Sequence, residues 1–374
     1  MRVVSVNDIL LVGDEMPCYH PLKAFPIGLT DSGKRKMKVT SYEVEAVYQM
    51  SPGEPWYALN SRSRPPGCFR YSTQWISIPC SRCIGCRMEY SRQWANRCML
   101  ELQYHDSSYF VTLTYNEEHV PRSYYGSPDS GEANPSLTLS KRDFQLFMKR
   151  LRKAFPDDKI RFFMCGEYGP TTFRPHYHAI LFGLHLDDLV PFSKSEQGFV
   201  YYTSESLQRC WSVRSGKECD TPLAYFDPIG HILVANVTWE TCAYTARYIT
   251  KKLTGPAASF YSDFNIEPPF TLMSRKPGIA RQYYDDHPDL YEYEFINVKT
   301  ETGGRKFRPP KYFDKLYDLD YPEASAALKE TRRKMAEEAQ KAKLAQTSMS
   351  YLEYLQVEEN AKLDAIKSLD RSEI

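Results

Sequence analysis

The feature that most narrows the fold is a pair of apolar runs, "KIRFFMCGEYG" (Lys159 to Gly169) and "PHYHAILFG" (Pro175 to Gly183), joined by only a few residues. Parallel strands need a crossover of roughly a dozen residues or more, so a link this short makes the two runs an antiparallel hairpin. Side chains on a strand alternate faces, which puts His176 and His178 on the same one. Two such histidines are ordinarily half-buried core residues. Glu167 shifts the balance, because it ends the first run nine positions before His176, and pairing around the loop 169–174 carries it to the histidines. A carboxylate with two imidazoles leaves positions open for water or a phosphate oxygen. That set suits Mg²⁺ or Mn²⁺ in phosphoryl chemistry, and also Fe(II) or Zn²⁺.

The elements around the hairpin follow from their periodicity. "IGCRMEYSRQWANRCMLELQYH", from Ile84, is expected as a long helix, and "SSYFVTLTYNEEHVP" as a strand ended by a polar turn and Pro121. Residues 121–140 read as a loop. Ser140 then caps a basic amphipathic helix, "KRDFQLFMKRLRKAF", with Phe144, Phe147, Leu151 and Phe155 at helical spacing. "HILVANVTW" is a further strand, and "WETCAYTARYITKKLTG" a helix closed by Gly255 and Pro256. Strands separated by helices around a hairpin specify an α+β core over 84–255, a central antiparallel sheet flanked by helices. Residues 1–83 are Pro-, Gly-, Ser- and Tyr-rich, an irregular segment with short strand-like runs such as "YEVEAVYQM". Residues 256–321 form a Pro- and aromatic-rich accessory region, and 322–374 a charged tail, helical or partly disordered. No internal repeat is present.

Composition excludes some classes and leaves others open. The 374 residues are 42% hydrophobic, enough for a real core, and no stretch approaches the roughly 18–20 apolar residues of a membrane span. The opening "MRVVSVNDILLVGDEMPC" is not a secretory signal. A soluble intracellular protein without a membrane partner is expected. Its 10 cysteines are then thiols or metal ligands rather than disulfides. The net charge of +1 does not announce a nucleic-acid binder. The basic helix does offer Lys141, Arg142, Lys149, Arg150, Arg152 and Lys153 as a phosphate-tracking surface, although such a run is more often a solvated face. The 28 tyrosines supply platforms on which unpaired bases stack.

Two further clusters carry chemistry. Cys80, Cys83 and Cys86 recur at three-residue spacing where a loop becomes a helix. That pattern points to a structural Zn²⁺, with Cys18 as fourth ligand and His20 or Cys68 as substitutes; a redox-sensitive loop without metal is the alternative. Cys98, Cys165, Cys210, Cys219 and Cys242 read as small apolar packers. In "YTARYITKK", Tyr244 and Tyr248 stand at i, i+4 with Lys251 at i+7, so all three share a helix face. Paired core aromatics are the common meaning of that spacing. Beside a divalent cation, however, a tyrosine is a nucleophile for a phosphodiester, and a nearby lysine stabilises charge or removes a proton.

Taken together these segments resemble a known superfamily. Phe110-Val111-Thr112-Leu113-Thr114-Tyr115 resembles the first motif of the HUH endonucleases, the rolling-circle replication initiators; "RPHYHAILFG" resembles the second and "YTARYITKK" the third, in its two-tyrosine form. "GEYG" looks like the carboxylate ligand of related viral initiators. "MPCYHPLKAF", "PCSRCIGCRMEYSRQWANRC" and "MSRKPGIA" are similar to segments of initiators from gokushovirus-type microviruses, small phages with circular single-stranded DNA. The resemblance spans roughly residues 16 to 282. It implies an HUH-nuclease core in which Glu167, His176 and His178 hold Mg²⁺ or Mn²⁺. It implies that Tyr244 or Tyr248 cuts origin DNA, leaving a 3′-hydroxyl primer and a covalent 5′-phosphotyrosine. The second tyrosine cuts after one round of synthesis, and the displaced 3′-hydroxyl closes a circle. No Gly-x₄-Gly-Lys-Ser/Thr is present, so no helicase is expected in the chain; host helicase and DNA polymerase are the implied partners, in the host bacterial cytoplasm. A relaxase, plasmid initiator or transposase would share the chemistry. A non-catalytic, zinc-stabilised single-strand-binding module is the alternative of another class.

Overall fold

The computed structural model describes residues 18–31, 33, 35–126, 131–194, 200–214, 226–247, 252–253, 255–300 and 303–367. The chain condenses into two compact units: Tyr90–Ala326, and the residues up to Glu89 together with those from Ala327 onward.

The larger unit is built on a seven-stranded sheet. Its strands are β1 (Ser108–Leu113), β2 (Arg161–Tyr168), β3 (Pro175–Phe182), β4 (Val190–Lys194), β5 (Val200–Thr203), β6 (Ile232–Asn236) and β7 (Phe270–Met273), in the order β4-β5-β6-β1-β3-β2-β7. Every neighbouring pair is antiparallel. The hairpin expected from the sequence is β2–β3, closed by Gly169 N–H to Arg174 O at 2.9 Å with Phe173 in the left-handed region at φ 54°. Its register pairs Glu167 with His176 and Cys165 with His178, and β1 pairs Thr112 with His178. Directly opposed residues share a face. Glu167, His176, His178, Thr112 and Phe110 therefore lie on one face, and Met164, Tyr177, Leu181, Leu113 and Val111 on the other.

Each face recruits a different helix. The helices of this unit are α1 (Ile84–Leu102), α2 (Lys141–Ala154), α3 (Glu205–Cys210) and α4 (Trp239–Arg247); residues 84–89 of α1 count with the smaller unit. The Met164–Tyr177–Leu181 face takes α2, whose Phe144, Phe147, Met148 and Leu151 are buried in the cluster with Val111, Leu113 and Val234. Four such side chains contribute about 1.5–3 kcal/mol each. Ser140 caps α2 by accepting from Asp143 N–H at 3.2 Å, as its sequence indicates. The start of α2 is also tied to the sheet: the Tyr177 hydroxyl donates to Ser140 O at 2.8 Å and accepts from Ser140 N–H at 3.0 Å.

The histidine face is covered by α1 and α4. Trp94 stacks on Phe163 with ring centroids 4.6 Å apart, Ser91 donates to Ala243 O at 3.1 Å, and Trp239 donates to Asn96 Oδ1 at 3.2 Å. "MSRKPGIA" is held through its backbone. Arg161 donates to Pro277 O and Gly278 O at 3.0 Å, Arg97 donates to Ile279 O at 2.9 Å, and Ala280 N–H donates to Glu101 at 2.6 Å. A Cβ on Gly278 would stand 2.6 Å from the Tyr312 hydroxyl, which is why no larger residue fits there. Leu100, Tyr283, Tyr284, Leu290, Ile296 and Phe313 form a second core within the same unit, so the 256–321 region packs on this unit's own helices and strands.

The smaller unit holds more regular structure than its composition suggests. Leu22–Leu29 lies between Arg35–Thr40 and Ile76–Ile78 in one three-stranded sheet, and Ala46–Gln49 between Tyr57–Leu59 and Arg70–Ser72 in another. Phe25, Val44 and Val47 are buried with Trp56 and Trp75 packed against them. The tail forms two helices, Pro322–Leu344 and Tyr351–Lys367. The second is anchored within this unit. Leu355 is 2% exposed against Tyr19 and Cys83, Tyr351 meets Tyr42 with centroids 5.7 Å apart, and Glu359 binds His20 at 2.6 Å.

Candidate active site and metal centres

The hairpin register brings one nitrogen or oxygen of Glu167, His176 and His178 within 4.8 Å of one another. His176 Nε2 is 2.9 Å, and His178 Nε2 3.3 Å, from the same Glu167 Oε1. The opposite ring nitrogens are held from behind. His176 Nδ1 lies 3.2 Å from Arg174 O, a pure acceptor, so Nδ1 carries the proton and Nε2 presents its lone pair in the neutral ring. His178 Nδ1 lies 3.0 Å from the Thr112 hydroxyl. Orienting contacts of this kind are what metal-ligating imidazoles ordinarily have. Burial would raise the Glu167 carboxyl, but hydrogen bonds and charge from His176 and His178 outweigh it and hold the group below the usual carboxylate range. The three therefore fit a divalent cation: a deprotonated carboxylate and two Nε2 atoms, largely shielded from water.

Tyr244, on α4, stands over this set. Its ring is edge-on to His178, with centroids 5.1 Å apart and planes at 76°, and it also meets Phe110 at 6.1 Å. The sheet and the helix thus converge three of the expected ligands and the first of the two tyrosines on one face. Tyr248 and Lys251 lie outside the described residues. The basic helix is not part of this constellation, because α2 covers the opposite face of the sheet. Two of its cations are engaged there: Lys141 pairs with Glu267, and the Arg150 guanidinium donates to Cys210 O at 2.6 Å, tying α2 to α3. Arg152 lies over Phe162, while Arg142, Lys149 and Lys153 are exposed.

Cys18, Cys80, Cys83 and Cys86 form a second convergent set, again within 4.8 Å. Cys80 and Cys86 sulfurs are 4.0 Å apart, close to the edge of a tetrahedron with Zn–S bonds of ~2.3 Å, about 3.8 Å. Backbone N–H groups point at the sulfurs: Cys80 N to Cys18 at 3.1 Å, Cys83 N to Cys80 at 3.3 Å, Tyr19 N to Cys83 at 3.3 Å and Cys86 N to Cys83 at 3.5 Å. Ser81 takes φ 61° to make the turn. Hydrogen bonds from Cys18 and Cys86 hold the Cys83 thiol far down, while the bond to Cys83 pushes Cys18 up to about 12 and its neighbours raise Cys86. Four crowded sulfurs cannot all ionise unaided, and a Zn²⁺ would let them. Of the three residues weighed as fourth ligand, Cys18 is in the cluster. His20 instead binds Glu359, and Cys68 accepts from Arg64 Nε at 3.3 Å. Cys98, Cys165, Cys210 and Cys242 are buried, as packing residues should be; Cys219 lies outside the described residues.

Residues 108–253 match the family model of the replication-associated protein ORF2. Over 302 residues the chain is 30% identical to the replication-associated protein ORF2 of Spiroplasma virus 4, covering 79% of this chain and 85% of that protein. The chain belongs to the family of microvirus replication-associated proteins. Replication-associated protein VP4 of Bdellovibrio phage phiMH2K is 28% identical over 256 residues, 66% of this chain and 70% of the relative. Replication-associated protein ORF4 of Chlamydia phage 1 is 26% identical over 248 residues, 64% of this chain and 53% of the relative. No solved structure matches the chain. The family match takes in β1, the histidine hairpin and α4, and leaves the cysteine cluster outside it.

Sequence reading did not assign roles to Thr112 or Arg174, which orient the histidines, or to Leu355 and Glu359. Thr112 stands within a quoted motif, so its signal was there. Leu355 sits in a helix without a strong apolar stripe and gave none. Among the described residues no helix is long and apolar enough to cross a membrane.

Proposed function

We propose that this protein initiates phage DNA replication by cutting one strand of the origin with Tyr244 or Tyr248 as nucleophile. The observation that carries the reading is the edge-on contact of Tyr244 with His178, a member of the Glu167–His176–His178 set. The tyrosine oxygen attacks the scissile phosphorus as its proton leaves, and Lys251 is the nearest base by sequence. The P–O3′ bond breaks and its electron pair stays on O3′, which gains a proton. The products are a 5′-phosphotyrosine ester and a free 3′-hydroxyl that primes synthesis by a host polymerase behind a host helicase. Because the ester conserves the phosphodiester, a later 3′-hydroxyl attack on it seals a circle without ATP. Glu167, His176 and His178 hold Mg²⁺ or Mn²⁺, which when bound polarises the phosphate and takes up charge that develops on it. Cys18, Cys80, Cys83 and Cys86 hold a structural Zn²⁺. The chain acts on single-stranded origin DNA in the host cytoplasm.

The test is a labelled origin oligonucleotide incubated with protein and Mn²⁺. Label is expected to migrate covalently with the protein, and to vanish in the Tyr244→Phe, Tyr248→Phe double variant. Binding without any adduct would leave the non-catalytic single-strand module standing. An adduct that survives in the double variant would place the nucleophile elsewhere.

A further inference from the structure

Beyond the end of β1 the chain makes a turn, 114–120, that carries Glu118 and His119 beside Asp227 of the strand Phe226–Pro228. The turn is pinned to that strand by Asn116. Its backbone N–H donates to Ile229 O at 2.9 Å, and its side-chain Nδ2 donates to Pro228 O at 2.7 Å. A carbonyl can only accept, so the amide orientation is settled. Asn116 Oδ1 must then face His119, where it accepts from the backbone N–H at 2.9 Å and lies 3.1 Å from Nδ1. His119 Nδ1 accordingly carries a proton. In the neutral ring Nε2 has only a lone pair, and it faces the Asp227 carboxylate oxygen at 3.3 Å.

Two acceptors that close need a cation between them: either a second proton on His119 or a metal. We propose that the occupant is a divalent metal ion, held by His119 Nε2, Asp227 and Glu118, whose ligand atoms lie within 4.8 Å of one another. One imidazole and two carboxylates on a partly exposed turn leave several positions for water. That chemistry fits Mn²⁺ or Zn²⁺ in an exchangeable site, not a closed structural one. The site shares no ligand with Glu167, His176 and His178, yet it is joined to them. Glu117 pairs with Arg174, and Arg174 O is the acceptor facing His176 Nδ1. The inference stands on the Asn116 amide and does not require the DNA-cutting reading.

The experiment counts Mn²⁺ bound per chain by electron paramagnetic resonance in full-length, zinc-loaded protein. The His176→Ala, His178→Ala variant is expected to keep one Mn²⁺, and adding His119→Gln to remove it. In the parent chain His119→Gln lowers the count by one, whether or not the first site is filled. Glu118→Gln, at an exposed position, gives the same direction without a folding question, and Asn116→Ala weakens binding roughly 10–100-fold by freeing the ring. No Mn²⁺ or Zn²⁺ bound in the double-alanine variant, or binding indifferent to both His119→Gln and Glu118→Gln, overturns the proposal. So does a ¹⁵N spectrum in which His119 is doubly protonated with and without Mn²⁺, the signature of a plain ion pair.

Discussion

The ring of Tyr244 stands edge-on to the imidazole of His178, 5.1 Å between centroids. A core aromatic and a nucleophile could both occupy that position, and Tyr→Phe separates them because it deletes the oxygen and keeps the ring. Tyr244→Phe is expected to melt within about 1 kcal/mol of the parent. If Tyr248 substitutes in the first cut, nicking persists; completion of a circle, which needs one link held while the other tyrosine cuts, is lost. Peptide mapping of the DNA adduct then finds Tyr248 alone. Normal circle formation by Tyr244→Phe would sink the paired-nucleophile reading.

Thr112 is expected to act on metal affinity without touching the metal. Its hydroxyl is 3.0 Å from His178 Nδ1, and valine keeps its shape while removing that contact. Thr112→Val should weaken Mn²⁺ binding at the Glu167–His176–His178 set by roughly 10–100-fold, while the melting temperature moves little. Titration of Mn²⁺ against the two proteins checks it. Equal affinities would mean that packing against Phe110, stacked on His178 at 5.5 Å, is enough to hold the ring.

How much of this was legible beforehand depends on whether the signal was local. The hairpin, its register and the convergence of Glu167 with two histidines follow from alternation and a short loop, and both act over neighbouring residues. The cap at Ser140 is equally local. The face occupied by the basic helix is not. Lysines and arginines mark which side of α2 is wet, but not which side of the sheet the helix covers, and it covers the one away from His176. The tail is the clearest case. Tyr351–Lys367 has no strong apolar stripe, and its burial rests on one residue, Leu355, meeting a cysteine cluster more than 260 residues earlier in the chain.

Glu101 predicts a pH dependence of stability. It is buried, and burial alone would raise its carboxyl. His105, the Ala280 N–H and Arg161 together outweigh burial and lower it below the ordinary value of 4.5. A depressed folded value means the carboxylate contributes stability above the unfolded value, and that the contribution is lost as pH falls through the folded one. Glu101→Gln leaves Arg161 without its charge partner, a loss of roughly 3 kcal/mol at pH 7 by the low end of what breaking a buried pair costs. Urea unfolding of both proteins is the measurement. The gap between them should narrow as pH drops below 4.5, and a gap independent of pH would show that shape, not charge, holds the 277–280 loop.

The last prediction joins the tail to the cysteine cluster. Leu355 is 2% exposed and packs against Tyr19 and Cys83, with Cys18, Cys80, Cys86 and Tyr351 around it. An apolar cover of this kind keeps water and chelators from the sulfurs, so its removal should act on zinc as well as on folding. Leu355→Ala is expected to destabilise the smaller unit by about 2–5 kcal/mol, the usual cost of emptying a buried leucine site. Leu355→Asp should do more, since it sets a carboxylate against four thiolates. Both are expected to release zinc to a chromogenic chelator faster than the parent chain, the aspartate fastest. Glu359→Gln, which removes the charge at His20 but leaves Leu355 in place, should change release far less. Release rates unaffected by Leu355→Asp would show that the tail helix merely rests on the cluster, and that the sulfurs are shielded by Tyr19 and the turn at Ser81 alone.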